Sequence, residues 1–129
     1  MADAVVDASA LVDLLVGTDQ GQAVGSHLSG FTVLHAPAHV DAEVLSALGR
    51  LHRAGAVTAR QVSDRLGALA AAPMARHELA PLLAGAWRRR HQLRLVDALY
   101  VELADLLGAR LVTTDGRLAS AAGIAPVKP

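Results

Sequence analysis

Short apolar runs of strand character alternate with helical patterns along this chain of 129 residues. A β-branched run at Ala4–Asp7 leads straight into a helical pattern that ends near Gly17, and the run RLVTTD also precedes a helical pattern. Strands joined through helices pair in parallel, because each helix returns the chain to the same edge of the sheet. The sequence therefore predicts an α/β fold: one domain over residues 1–129, built as a three-layer sandwich with a mainly parallel central sheet.

Apolar periodicity and helix-ending residues give the predicted boundaries of the individual elements. After the first helix, which ends near Gly17, six more helices are predicted. They are Asp19–Leu28, His39–Arg53, Thr58–Leu69 with Thr58 as N-cap, Leu79–Arg90, a helix from Val96 to the stop at Gly108, and Arg117–Ala122. The predicted strands are Ala4–Asp7, Phe31–His35 before Pro37, the run RLVTTD, and Ala125–Val127.

Composition narrows the possible chemistry. Hydrophobic residues make up 53% of the chain but the aromatic ones are only Phe31, Trp87 and Tyr100, so the core must consist of Leu, Val and Ala. The sequence contains no cysteine, which excludes disulfides, thiolate metal sites and cysteine nucleophiles. The formal net charge is zero, so any nucleic-acid binding must depend on a local basic patch.

The N-terminal sequence carries acids where a signal peptide needs basic residues. Charged residues interrupt the apolar stretches before they reach membrane-spanning length. We therefore expect a soluble, cytoplasmic protein that does not contact a membrane.

Four acidic residues, Asp7, Glu43, Asp97 and Asp115, each lie at the edge of an apolar run. Asp7 and Asp115 follow strands, and open α/β sheets place ligand sites at the carboxyl ends of their strands. Clustered carboxylates repel one another unless a cation offsets them, and carboxylate oxygens suit Mg²⁺, with Mn²⁺ as a substitute. We expect Asp7 and Asp97 to bind the ion directly, and Asp115 and Glu43 to act through water or on a second ion. Water activated by this ion would then hydrolyse a phosphodiester without a protein nucleophile.

Each acid also has an ordinary structural explanation. Asp7, Asp97 and Asp115 stand just before helical patterns, where Asp is a preferred N-cap. Glu43 lies inside a predicted helix, where a solvated face is the simplest expectation. The alternative function is therefore a non-catalytic α/β binding module, or one resembling a phospho-receiver, whose acids are caps or a metal pocket without nuclease activity.

The strings VVDASALV, DAEVLSAL and DALYVELADLLGARLVTTDGRLA resemble, in order and separation, the PIN-domain ribonucleases, most closely the VapC toxins of bacterial toxin–antitoxin pairs. The resemblance implies a PIN-like fold and Mg²⁺-dependent endoribonuclease activity, with RNA as substrate. It also implies homodimerisation and inhibition by a small cognate antitoxin. The implied site consists of the four acids Asp7, Glu43, Asp97 and Asp115, with Ser9 and Thr113 as polar supports and Tyr100 as a packing residue.

Basic residues offer candidate RNA contacts. Arg88, Arg89 and Arg90 form a dense cluster whose functional role would be backbone binding and whose ordinary role is a solvated helix end. Arg117, two residues after Asp115, is better placed to contact a scissile phosphate. The six histidines show no HExxH spacing, so zinc is not expected.

Two rival enzyme classes lack a required residue. A phospho-receiver domain needs a lysine near its phosphoacceptor, and the one lysine is Lys128. A phosphatase of the Asp-x-Asp type needs a second acid where this chain has Ser9.

Overall fold

A central sheet of four strands organises the computed structural model, which describes residues 2–129. The strand order is β3-β2-β1-β4, and each pairing in it is parallel. In the central register Val5 pairs with His35 on one side and with Leu111 on the other. The strands are β1 (Asp3–Val6), β2 (Val33–Pro37), β3 (Met74–His77) and β4 (Arg110–Val112).

Helices connect these strands and cover the sheet, as the alternating pattern predicts. Helix α1 packs against α2 and α3, whereas α6 packs against α5 and against β1, β2 and β4. The three-layer α/β/α sandwich with a parallel sheet is therefore confirmed. The helices are α1 (Ala8–Val16), α2 (Asp19–Leu28), α3 (Val40–Arg53), α4 (Ala59–Ala71), α5 (Leu83–Arg88), α6 (Leu95–Leu107) and α7 (Gly116–Ala122).

Local sequence explains where the helices begin and end. Asp7 caps α1 by accepting a hydrogen bond from the Ala10 N–H at 3.0 Å, and Thr58 forms a capping box with Gln61 at the start of α4. Gly108 ends α6 with φ 62°, a left-handed conformation that favours glycine.

The strand order creates a switch point between β1 and β4. From β1 the chain passes to β2 and then β3 on one side, and it returns to β4 on the other side of β1. Ligand sites in open α/β sheets lie at such switch points, beyond the carboxyl ends of the strands. Asp7 directly follows β1, so the fold places it at this position, and Asp115 follows β4 after two threonines.

Three predictions about local structure are wrong, and one strand was missed. Ala125–Val127 forms no strand: Pro126 lacks an N–H, and Val127 makes a single backbone bond to the Thr113 carbonyl at 2.8 Å. The helix predicted for Leu79–Arg90 is a 3₁₀ turn at Ala80–Leu82 followed by the shorter α5.

The other two errors concern β3 and Asp97. Strand β3, with the sequence MARH, was not predicted because it lacks β-branched residues, and its pairing with β2 is what makes it a strand. Asp97 is not an N-cap: α6 starts at Leu95 after the cap residue Arg94, so Asp97 lies in the first turn of the helix.

A polar line crosses one face of the sheet from β1 to β3. The buried His35 ring contacts Asp3 through Nε2 at 3.0 Å and His77 through Nδ1 at 2.9 Å. Burial and the neighbouring His35 lower the pKa of His77, so the His77 ring is held in its neutral form.

Between Ala2 and Pro129, none of the helices combines the length and the apolar character that a membrane span requires.

Candidate active site

The four predicted acids line a single cleft. This cavity of about 340 Å³ lies at the switch point, and its wall is formed by Asp7 just after β1, by side chains of α1, α3 and α6, and by the segment after β4. Five carboxylates and two guanidinium groups face it, so negative charge predominates. The charged residues are Asp7, Asp13, Glu43, Asp97, Asp115, Arg50 and Arg94.

Asp7 is the most enclosed of these carboxylates, with 4% of its surface exposed. Thr113 Oγ1 donates to its Oδ2 at 2.6 Å, and Ser9 Oγ lies 2.8 Å from both carboxylate oxygens. The Ala10 N–H donates to Oδ1. The residues expected as polar supports, Ser9 and Thr113, therefore both contact Asp7 directly and hold its carboxylate in one orientation.

Burial raises the pKa of Asp7 from 3.8 to about 6, although the hydrogen bonds from Thr113, Ala10 and Ser9 act in the opposite direction. The nearby carboxylate of Asp115 adds a smaller upward contribution. The raised pKa means that the surrounding hydrogen bonds do not fully offset the cost of burying the negative charge of Asp7. A cation placed beside it would therefore stabilise the ionised form.

Glu43 faces the cleft from α3 and is held through one oxygen. Tyr100 Oη donates to Glu43 Oε1 at 2.6 Å, and His39 Nε2 lies 3.3 Å from the same oxygen. Burial, followed by the interaction with Glu43, raises the pKa of Tyr100 well above its usual range, so its phenol remains a hydrogen-bond donor. Tyr100 thus does more than pack, which was its expected role: it fixes the position of Glu43 relative to α6.

Asp97 forms an ion pair with Arg94. Arg94 Nε donates to Asp97 Oδ2 at 2.9 Å, and Nη2 approaches Oδ1 at 3.3 Å. This hydrogen bond to Asp97 raises the pKa of Arg94. The Arg94 side chain is 71% exposed, whereas that of Asp97 is 14% exposed, so the arginine is the partner that faces solvent.

Asp115 caps α7, as predicted, by accepting hydrogen bonds from the Arg117 and Leu118 N–H groups at 2.9 and 3.4 Å. Its own N–H donates to Thr113 Oγ1 at 2.9 Å. Thr113 therefore joins Asp115 to Asp7, because the same hydroxyl donates to the Asp7 carboxylate. The capping hydrogen bonds at the start of α7 thus hold the Asp115 carboxylate at the edge of the cleft.

Asp13 is a cleft residue that the sequence reasoning missed. It accepts hydrogen bonds from Thr114 Oγ1 at 2.7 Å and from Thr18 Oγ1 at 3.0 Å. An acid within the largely apolar sequence of α1, ASALVDLLV, was the available signal. Arg50 of α3 was also missed, and nothing in its local pattern separates it from a surface arginine.

The predicted RNA-contacting arginines have different surroundings. Arg117 is exposed and lines a second cavity together with Asp97 and Asp115. Arg89 binds the carboxylates of Glu102 and Asp105 at 3.0 and 2.5 Å, so it connects the end of α5 to α6. Arg88 and Arg90 are exposed, and the Arg90 guanidinium lies 4.7 Å from the centre of the Trp87 ring.

The donor set of the cleft fits a hard divalent cation, although the carboxylates are not gathered around one point. Within residues 2–129 no three Asp, Glu, His or Cys side chains are close enough together to hold one ion. Glu43 and Asp97 instead contact Tyr100 and Arg94. Mg²⁺ keeps several waters and commonly uses only one or two protein carboxylates, which suits an open, carboxylate-lined cleft.

Fold and site together define the class: a parallel α/β protein with an acid-lined cleft at its topological switch point. Residues 4–124 match the PIN domain family, and the chain belongs to that family as a VapC-type member. It is 60% identical over 118 residues to Ribonuclease VapC3 of Mycobacterium tuberculosis, covering 91% of this chain and 85% of the relative. Ribonuclease VapC12 of the same species is 40% identical over 124 residues, covering 92% of each chain.

Solved structures share the fold. The crystal structure of PAE2754 from Pyrobaculum aerophilum matches with a TM-score of 0.69 at 28% identity, covering 98% of this chain and 84% of that one. The crystal structure of Mycobacterium tuberculosis VapC20, described as a sarcin–ricin-loop-cleaving toxin, matches with a TM-score of 0.73 at 21% identity. That match covers 98% of this chain and 99% of VapC20, and it supports the fold alone.

Proposed function

We propose that this protein is a divalent-metal-dependent endoribonuclease, with Mg²⁺ as its ion and Mn²⁺ as a substitute, and that it acts as the toxin of a toxin–antitoxin pair. The observation that carries the proposal is the cleft at the switch point of the sheet, which is lined by four acids that are distant in sequence. Similarity to named ribonucleases over most of the chain supports RNA as the substrate.

The acids have different proposed roles because their surroundings differ. Asp7, buried and held by Ser9 and Thr113, would hold the ion directly, together with Asp97. Asp115 and Glu43 would act through water or on a second ion. A divalent ion bound here would supply Lewis-acid stabilisation of phosphate charge and would make water a better nucleophile.

The remaining residues of the cleft position groups or carry charge. The Tyr100 hydroxyl stays protonated and donates a hydrogen bond to Glu43, which orients that carboxylate towards the cleft. The exposed guanidinium groups of Arg94 and Arg117 stand beside Asp97 and Asp115, where they can bind phosphate oxygens of RNA. Because the net charge of the chain is zero, these local cations would provide the attraction for RNA.

Cleavage of RNA by the purified protein tests the enzymatic proposal. We expect wild type to cleave total RNA with Mg²⁺ or Mn²⁺, EDTA to stop the reaction, and Asp7→Asn or Asp97→Asn to lower the rate at least about a hundredfold. Asp64→Asn is the matched control, because Asp64 is an exposed acid of α4 outside the cleft. Equal cleavage by wild type and Asp7→Asn would overturn the proposal and favour the non-catalytic module.

Expression in bacteria tests the toxin proposal. Wild type should arrest growth, Asp7→Asn should not, and co-expression of a small neighbouring antitoxin gene should relieve the arrest. Normal growth with abundant, folded wild-type protein would contradict the toxin role while leaving nuclease activity possible.

Two protein partners belong to the same proposal: a second copy of the chain and the antitoxin. Large apolar side chains exposed on α5 and α6 supply surface for such contacts, among them Trp87 with 57% of its surface exposed and Leu106 with 61%. Sedimentation of the purified chain across a concentration series should show a dimer, and a monomer throughout the series would contradict this part.

A further inference from the structure

We propose that a second cavity, next to the acidic cleft, binds the nucleotide that flanks the scissile phosphate, and that Gln92 and Arg94 help to select its base. The inference rests on the proposed ribonuclease function and extends it to substrate selection. The second cavity is formed largely by the loop between α5 and α6 and by residues of α7. Neither segment contains any of the four predicted acids.

The second cavity adjoins the cleft. It has a volume of about 380 Å³, within the range of roughly 300–1,000 Å³ typical of small-ligand sites. Three residues, Arg94, Asp97 and Asp115, line both cavities and form the boundary between them. An RNA strand with its phosphate at the acids would therefore have an adjacent nucleotide next to this cavity. The remaining lining residues are Gln92, Leu93, Arg117, Leu118 and Ala121.

The lining matches the three parts of a nucleotide. Arg94 and Arg117 carry guanidinium groups that suit phosphate oxygens. The side chains of the half-buried Leu93 and the exposed Ala121 give apolar surface for the face of a base. Gln92 carries an amide that both donates and accepts, which is the pattern needed to read the edge of a base.

These polar groups remain available for a ligand. Between Ala2 and Pro129, the Gln92 amide and the Arg117 guanidinium make no side-chain hydrogen bond to another residue. The backbone at this point is nevertheless fixed, because the N–H groups of Gln92 and Leu93 both donate to the Arg89 carbonyl, at 3.0 and 3.1 Å. Arg89 itself is bound to Glu102 of α6 at 3.0 Å. A fixed turn thus presents free side-chain donors towards the cavity, which is how a selective subsite is built.

Arg94 connects the two cavities. Its side chain is 71% exposed and its present partner is the Asp97 carboxylate. Binding of a phosphate would offer a second anion at the same boundary, and the long side chain can reach either anion. We therefore expect Arg94 to affect both the affinity for RNA and the choice of the flanking base.

Cleavage-end mapping across total RNA tests the subsite. Wild type should show a base preference at a position flanking the cut, and Gln92→Ala should relax that preference about tenfold at that position alone. Gln92→Glu, which replaces donors by acceptors, should shift the preference to another base. Gln22→Ala, an exposed glutamine change on α2, is the matched control. Unchanged preferences in both Gln92 variants would overturn the inference while leaving the nuclease proposal intact.

A binding measurement makes the test independent of catalysis. The Asp7→Asn protein is titrated with the 5′-monophosphates of adenosine, guanosine, cytidine and uridine while amide NMR signals are followed. The signals of Leu93, Arg117 and Leu118 should shift with at least one nucleotide, and adding Gln92→Ala should weaken that binding at least about fivefold. Shifts confined to other parts of the chain, or equal affinity with and without Gln92, would overturn the inference even if wild type cleaves RNA. Binding at the cavity with no cleavage by wild type would contradict the nuclease proposal instead.

Discussion

Asp7 combines burial with a set of donors that does not fully compensate its charge. Thr113, Ser9 and the Ala10 N–H all donate to the carboxylate, yet burial still raises its pKa to about 6. The Asp7 carboxylate is therefore already oriented to bind a cation, and burying its charge without one lowers the folding stability. Functional sites commonly contain such strongly perturbed groups.

The pH dependence of stability should reveal this cost in EDTA. The folded-state pKa of Asp7 is raised from 3.8 to about 6, so the folded protein holds the proton more tightly than the unfolded chain. The free energy of unfolding contributed by Asp7 should therefore fall as pH rises from about 4 to about 6. Asp7→Asn does not titrate, so its stability relative to wild type should increase across this window, by up to about 3 kcal/mol.

Urea unfolding at a series of pH values measures the effect, with Asp64→Asn as the exposed control. Added Mg²⁺ should then stabilise wild type but not Asp7→Asn, because an ion that binds only the folded state shifts the equilibrium towards it. A constant difference between Asp7→Asn and wild type from pH 4 to 7 would contradict the burial account.

Tyr100 is the second residue whose role depends on one contact. Tyr100→Phe keeps the ring beside His39, at the 4.7 Å centroid separation, but removes the hydroxyl that donates to Glu43. We expect a loss of about 1 kcal/mol in stability, a lower kcat with little change in KM for RNA, and a higher Mg²⁺ requirement. A variant with wild-type kcat and Mg²⁺ dependence would show that Glu43 needs no positioning by Tyr100.

The position of Asp7 and Asp115 at the cleft was predictable from the sequence, because a strand run followed by a helix start marks the switch-point edge. Glu43 depended on the family resemblance, since its helix pattern is equally consistent with a solvated face. The contact with Tyr100 lies 57 residues away in sequence, and no local pattern encodes it.

At the scale of elements, α5 and α6 meet through an unusual pair, a glycine against a buried glutamate. A Cβ built on Gly85 would collide with the carboxylate of Glu102, a 7% exposed residue of α6 that Arg89 also binds. The absence of a side chain at Gly85 therefore allows the close approach of the two helices. The same contact supports the loop that carries Gln92 and Arg94.

Alanine substitution tests this contact against a matched glycine. Gly85→Ala should lower the free energy of unfolding by about 1–3 kcal/mol, because the added methyl group overpacks a filled site. Gly67→Ala, in α4 with open space around it, should instead raise stability by about 0.5–1 kcal/mol through better helix propensity. Thermal or urea unfolding measures both, and a neutral Gly85→Ala would contradict the close-packing account.

Element boundaries were predictable where a local signal determined them. The capping box at Thr58 and the left-handed Gly108 set helix ends within a few residues. Tertiary contacts decided the remainder. The edge strand β3 forms because β2 supplies its backbone hydrogen bonds. The segment around Pro126 stays irregular because its backbone makes a single hydrogen bond, from Val127, to Thr113 just after β4.

For the whole molecule, the decisive property is the order of the strands. The α/β class follows from the alternation of patterns, but the order β3-β2-β1-β4 is not written in any local segment. That order makes β1 and β4 neighbours and so brings Asp7 and Asp115 to one edge. Helices α1, α3 and α6 add Asp13, Glu43 and Asp97, so a chain of zero net charge has five carboxylates in one cleft.

The origin of the oxygen atom in the cleaved phosphate tests the central claim most directly. A carboxylate-lined site that holds a divalent ion and uses water as nucleophile should place one ¹⁸O in each new terminal phosphate when wild type cleaves RNA in H₂¹⁸O with Mg²⁺. Mass spectrometry of the products measures this, and Asp7→Asn should give labelled ends at least about a hundredfold more slowly. Cleavage that leaves unlabelled 2′,3′-cyclic phosphates, or labelling that Asp7→Asn does not reduce, would contradict the account.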